Sequence, residues 1–295
     1  VAEQLEELED KKMPLLDHLI ELRQRLLYSV IAIVVLFFVC YYFADDLYQF
    51  LVHPLAEILE KQGGNRRLIY TALHEAFFTY LKVALFSALF ISFPFVAMQL
   101  WLFIAPGLYK HEKKAFLPFL VATPILFFLG GALVYYIVFP MAWQFFLSFE
   151  SPGGPGQLPI QLEAKVNEYL SLVMQLIFAF GLCFELPVLL TLMARVGMIG
   201  SKGLRDKRRY AIVLAFVAAA VLTPPDPISQ IGLALPIMAL YEVSIWSVRL
   251  VERKRSEAED ADDEDEKNEK NQKNETSDKE DTTPKAASED KAAAS

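Results

Sequence analysis

Cysteine is nearly absent: Cys40 and Cys183 are the only two in 295 residues, and each sits inside an apolar run. That excludes a disulfide framework and a thiolate zinc centre, so both read as small buried apolar side chains. Histidine is equally sparse. His18, His53, His74 and His111 are scattered. The pairs His74-Glu75 and His111-Glu112 lack the second histidine that a helix-borne zinc site needs. No G-x-S-x-G, H-E-x-x-H or phosphate-binding glycine loop occurs, so neither a catalytic site nor a metal or cofactor is expected. An arginine-rich sensor helix and a selectivity-filter loop are missing too, which argues against a channel. The two halves show no convincing internal repeat, which weighs against a transporter.

Charge is also missing where it would matter most. The formal net charge is -8, but Ser256–Ser295 alone carries fifteen acids against six lysines, a net of -9. Val1–Arg255 therefore holds 22 basic and 21 acidic residues, a net of +1. The acidity describes a tail and not a binding face, and no nucleic-acid partner is expected. This tail (256–295) has neither aromatic residues nor periodicity, which predicts a disordered, solvating segment.

What is present is length without charge. Hydrophobic residues make up 54% of the chain, and they fall in uncharged runs of a length that soluble domains do not contain. A bilayer core of about 30 Å takes about 20 helical residues. The runs predict an all-α integral membrane protein whose domain, 1–255, crosses six times, near 26–44, 77–104, 116–139, 168–194, 210–224 and 228–248. The first run exceeds a signal-peptide core and no small-x-small site follows it, so it reads as an uncleaved span. The fifth is short, and Thr223-Pro224-Pro225-Asp226-Pro227 forces a turn after it. Within the third, Pro140 reads as the bend where a span ends and an apolar segment continues along the outer surface. With the N-terminus inside, the short flanks place seventeen Lys and Arg on the cytoplasmic side and four outside, which predicts cytoplasmic N- and C-termini.

Acids near the membrane are the informative polar residues. Leu15, Leu19, Leu22 and Leu26 recur at helical spacing, which predicts an amphipathic helix along the inner surface before the first span. On it, Arg23 and Arg25 read either as positive-inside anchors or as part of a functional surface. Glu21 gains nothing from anionic lipid and has to be solvated or paired. Glu112, among Lys110, Lys113 and Lys114, is either a loop ion-pair partner or the companion of a second acid from the first helix. Two such carboxylates would suit adjacent guanidinium groups, because the arginine fork matches a carboxylate. Glu185 lies deep in the fourth run, where a charge costs about 2.5–3.5 kcal/mol, and so marks a cavity or a partner contact. Lys82 can snorkel to the surface. Asp226 and Gln230, four apart, share a helix face, and Asp226 could equally be an N-cap.

Four segments together carry a family resemblance. They are His18-Leu19-Ile20-Glu21-Leu22-Arg23-x-Arg25-Leu26, Phe103-Ile104-Ala105-Pro106-Gly107-Leu108-Tyr109-Lys110-His111-Glu112, Phe180-Gly181-x-x-Phe184-Glu185-x-Pro187 and Leu222-Thr223-Pro224-Pro225-Asp226-x-x-Ser229-Gln230. In this order, from about Met13 to Trp246, they resemble the TatC subunit of the twin-arginine translocase. The resemblance implies a glove- or cradle-shaped bundle of six helices in the bacterial cytoplasmic (inner) membrane. It also implies a receptor for signal peptides bearing paired arginines, which exports folded proteins using the proton motive force. The implied partners are TatA- and TatB-type single-span subunits and further copies of the chain.

Residue by residue, the resemblance implies that Glu21 and Glu112 bind the arginine pair, with Phe103 and Leu108 in the same signal-peptide site and Arg23, on the same helix as Glu21, a functionally important member of it. Glu185 and Tyr135 are implied to face the cradle, and Asp226 and Gln230 to form a polar pair at the outer turn. Pro54 is implied to matter in the first outer loop, and Pro94 to kink the second span. One departure is Leu73, where the family pattern often has proline. The rival from another class is a proton-coupled small-solute transporter using Glu185. An intramembrane hydrolase would need a nucleophile and base that the chain does not supply.

Overall fold

The computed structural model describes residues 2–62, 67–104, 113–154, 156–222, 230–253 and 256–257. Most of them are helical. Their order is α1 (Ala2–Tyr42), α2 (Ala44–Gln62), α3 (Glu75–Ile104), α4 (Lys113–Leu133), a π-helical turn (Val134–Val138), α5 (Phe139–Leu147), α6 (Val166–Phe184), α7 (Leu186–Arg195), α8 (Ser201–Asp206), α9 (Arg208–Leu222) and α10 (Gln230–Arg253). Among the described residues the extended pairing is limited to two isolated bridges, Ile69 with Lys165 and Ser151 with Ile160.

Among the described residues five stretches are long and apolar enough to cross a membrane: Leu16–Tyr42, Glu75–Phe103, Pro118–Leu147, Val166–Arg195 and Gln230–Arg253. The fifth predicted run corresponds to α9, whose 15 residues rise only about 22 Å. Their outward faces are apolar: Leu26, Val30, Val34 and Phe38 on α1 and Val213, Leu214 and Val221 on α9 are all exposed. Such faces are stable against hydrocarbon and not against water.

Two local expectations change. The amphipathic stretch and the first run are one continuous helix, so no break separates a surface segment from a span. No helix-ending residue stands between them, which is why the helical bonding carries through. Pro140 does not end the third run either. The chain stays helical to Leu147, because a π turn precedes the proline and the Phe139 N–H bonds back five residues to the Val134 carbonyl. Pro140 thereby falls in the first turn of α5, the position at which a helix best tolerates proline.

The core is built from α2, α3, α5 and α6 around Leu55, Val83, Phe139, Leu170, Val173 and Phe180, with Leu233 of α10 joining it. In α1 the contact with α3 runs through small side chains, with Cys40, Ala84 and Ala88 in one buried cluster. Small residues let helix backbones approach where lipid provides no hydrophobic drive. The α4–α6 contact uses the same device. A Cβ on Gly130 would lie 2.7 Å from the Phe180 carbonyl oxygen and 3.0 Å from the Gly181 Cα. Neither obstacle is a side chain that can rotate away. At the other end of the bundle α7, α8 and α10 enclose Ala194, Leu204, Ile245 and Val248. There the Ser201 N–H donates to Glu252 at 2.8 Å and the Tyr241 hydroxyl to the Leu204 carbonyl at 2.8 Å. Glu242, the acid that marks the last apolar run, accepts from Arg208 at 2.6 Å.

Gly130→Ala is expected to destabilise the chain by about 1–3 kcal/mol through overpacking against backbone. Thermal unfolding of the purified protein in detergent checks this, and a melting temperature equal to the wild type contradicts the close approach.

Candidate functional site

Glu21 is the centre of a small polar cluster on the flank of α1 that meets the far end of α3. Helical spacing stacks His18, Glu21 and Arg25 on one face. The Arg25 guanidinium donates twice to a single oxygen, Glu21 Oε1, from Nε at 2.9 Å and from Nη2 at 2.6 Å. Its remaining nitrogen Nη1 lies 3.5 Å from Oε1 of Gln99, a buried residue of α3. On the other side His18 Nδ1 is 4.0 Å from Glu21 Oε2. The His18 ring stacks on Phe103 with centroids 4.2 Å apart and planes 15° from parallel. The structure therefore brings Glu21 and Phe103 together through His18. Arg25, read from the sequence only as an anchor or part of a functional surface, turns out to be the acid's direct partner. Its i,i+4 spacing from Glu21 was the available signal. Arg23, two residues from Glu21 and so about 200° around the helix, is exposed on another face. Leu108 and Glu112 lie outside the described residues.

A second set of polar groups sits within the apolar helices. Glu185 occupies the break between α6 and α7, where Pro187 in the first turn of α7 ends the α6 bonding. Its Oε1 and the Thr123 Oγ1 are both buried without a hydrogen-bond partner among the described residues. Gln230 opens α10 and donates to the Phe216 carbonyl of α9 at 3.3 Å, which ties the two helices together. Asp226, expected beside it, lies outside the described residues.

Pro54 and Tyr135 meet in a way the sequence did not announce. Pro54 stands inside α2 and is buried. Having no N–H, it cannot bond the carbonyl four residues back, which belongs to Phe50. The Tyr135 hydroxyl, on the π turn, donates to that same carbonyl at 2.7 Å. The Tyr135 and Phe50 rings stack with centroids 4.5 Å apart and planes 3° from parallel. Next along α2, the Leu51 carbonyl accepts from the Tyr169 hydroxyl at 3.1 Å. Tyr135 also lines an apolar cavity of about 290 Å³ with Phe50, Phe86, Phe90, Phe128 and Gly131. Pro94 lies inside α3, which is helical on both sides of it. Leu73, where the family pattern often has proline, is almost fully exposed.

The four segments and this geometry can now be set beside known proteins. The signature of the Sec-independent protein translocase protein (TatC) matches residues 17–236. The chain belongs to the TatC family. It is 56% identical over 250 residues to the Sec-independent protein translocase protein TatC of Magnetococcus marinus, covering 85% of this chain and 89% of that one. Against the TatC of Rickettsia prowazekii the identity is 45%, over 81% of this chain and 94% of the relative. Against that of Escherichia coli K12 it is 42%, over 84% and 92%. A crystal structure of the twin arginine translocase receptor TatC superposes with a TM-score of 0.67 at 35% identity, covering 79% of this chain and 99% of the other. The all-helical fold is thus that of a solved TatC, and TatC proteins are named as parts of a translocase.

In this TatC chain, Tyr135→Phe is expected to cost about 1–3 kcal/mol, since it leaves the Phe50 carbonyl, in a part-buried bond, without its donor. Pro54→Ala restores an N–H to α2, so the cost of Tyr135→Phe should shrink in that background. Equal costs in both backgrounds, measured by denaturation of the purified protein, contradict the pairing.

Proposed function

We propose that this chain is the receptor subunit of a twin-arginine translocase in the bacterial cytoplasmic membrane. It binds signal peptides carrying paired arginines and, with TatA- and TatB-type single-span partners and further copies of itself, exports folded proteins on the proton motive force. The observation that carries this reading is the placement of Glu21. A carboxylate at the flank of an apolar helix, seated beside the His18–Phe103 stack, offers a guanidinium both charge and a flat, partly desolvated surface. Glu112 supplies the second acid, with Leu108 lining the same site. The name of the superposed structure, a twin arginine translocase receptor, supports the same ligand.

The membrane part, 1–255, spans six times with both termini cytoplasmic, α9 serving as the short fifth span. The bilayer thins beside a helix of that length, or longer neighbours cover its ends. Ease of passage for folded cargo follows from that thinning. Glu185, whose Oε1 makes no well-formed hydrogen bond among the described residues, faces the concave side of the cradle with Tyr135 and accepts polar contacts from the single-span partners. Asp226 and Gln230 serve the same contacts at the outer turn. Pro94 bends the second span. Arg23 faces the lipid headgroups or cargo from the other side of α1. The acidic tail, 256–295, is a solvated cytoplasmic extension. The chain makes and breaks no covalent bond.

Crosslinking of an arginine-paired signal peptide is expected to fall at least tenfold in Glu21→Ala/Glu112→Ala, and further when both become Lys, since reversal adds repulsion to the loss of attraction. Undiminished crosslinking in the double variant contradicts the site. For the topology, cysteines introduced near Glu60 and Gly156 should react with an impermeant thiol reagent from outside, and one near Lys202 only after the membrane is opened. The reverse labelling pattern contradicts cytoplasmic termini.

A further inference from the structure

The cluster around Glu21 already contains the chemical group that its ligand would bring. Arg25 places two N–H donors on Glu21 Oε1, at 2.9 and 2.6 Å. Both side chains are only partly exposed, 25% for Arg25 and 32% for Glu21. The pair is therefore partly shielded from water, and the acid's charge is compensated before any ligand arrives. Only Oε2 remains, with His18 Nδ1 at 4.0 Å as its neighbour. A carboxylate holding one guanidinium in this manner is a poor bidentate acceptor for a second one, because each fork needs its own lone pairs and the two cations repel.

An exit exists for the resident group. Gln99 Oε1 lies 3.5 Å from Arg25 Nη1, beyond a good hydrogen bond but within a small side-chain movement of one. Among the described residues the Gln99 oxygen has no other donor, and it can take over one that Glu21 releases. The exchange conserves the number of charged hydrogen bonds on Glu21 and keeps Arg25 off the hydrocarbon.

We propose that Arg25 is a built-in competitor for the signal-peptide site. Its guanidinium occupies Glu21 in the ligand-free receptor and is displaced toward Gln99 when an arginine of the signal peptide binds. This rests on the receptor reading above and adds what sets the site's strength. The bare acid would hold an arginine fork tightly. The occupied acid holds it only by exchange, so binding stays reversible and a cargo can be released. A ligand must bring enough additional contact, from a second arginine and an apolar segment, to win the exchange. Residue Arg25 is thus a specificity-setting group and not a contact of the bound peptide.

The test uses the full chain in lipid nanodiscs and a fluorescent synthetic peptide bearing an Arg-Arg signal sequence, with affinity and dissociation rate read by anisotropy. Arg25→Gln is expected to tighten binding about 3- to 10-fold, mostly by slowing dissociation. A purely structural role for Arg25 predicts weakening, so the direction separates the two. Arg25→Lys keeps the charge but offers no fork, and should fall between wild type and Arg25→Gln. In a Glu21→Gln background the gain from Arg25→Gln should vanish, because the contested acid is gone. Unchanged or weaker binding in Arg25→Gln, with Glu21→Gln still weakening the peptide, overturns the competitor and leaves the receptor site standing. If Glu21→Gln itself leaves the affinity unchanged, the receptor reading fails and the competitor with it.

Discussion

Hydrocarbon offers a polar group no partner, and most of the architecture can be traced to that constraint. It forces the backbone into helices whose bonds close internally, and it disciplines the side chains that interrupt them. Ser29, Thr79, Ser92 and Ser244 each turn back to a carbonyl of their own helix. Where Pro54 strips a donor from α2, a tyrosine from the third run reaches across to replace it. Where Pro140 would do the same, a π turn shifts the register so that the proline falls in a first turn. The prolines are numerous for a membrane helix bundle, yet these two are tolerated because the loss at each is repaired or avoided nearby.

Against that background the two acids stand out for opposite reasons. Glu185 sits at a helix break with an oxygen that makes no well-formed hydrogen bond among the described residues, the Thr123 hydroxyl being its polar neighbour, which suits a group reserved for a partner. Glu21 is over-supplied, held by Arg25 on one oxygen and flanked by His18 at the other. The first arrangement favours a contact that comes from outside the chain. The second favours exchange, in which an incoming cation replaces a resident one of the same chemistry. Both arrangements place a carboxyl group where water is partly excluded, so small rearrangements of hydrogen bonds carry electrostatic consequences.

Packing serves the same ends. Helices that meet through Gly130 and Gly181, or through Ala84 and Ala88, come close enough for backbone to touch backbone or ring. That closeness fixes the depth at which Tyr135 on the third run finds the Phe50 carbonyl. It likewise sets where α3 presents Gln99 and Phe103 to α1.

The helical class, the membrane-crossing runs and the family membership were legible in the sequence alone. Run length against bilayer thickness and four motifs in order are properties of a linear chain. That Glu21 needs a partner was legible as well, because an acid beside an apolar run is costly anywhere. Its pairing with Arg25 was not. Three side chains at i, i+3 and i+7 are compatible with several rotamers, and the contact with Gln99, 74 residues away, selects among them. The Pro54–Tyr135 pair is invisible in sequence for the same reason, with 85 residues between the tyrosine and the carbonyl it serves. Sequence determined which groups would be expensive to place in a membrane; only the tertiary structure decided which distant groups would compensate them, since hydrogen bonds depend on ångström distances that composition and spacing do not set.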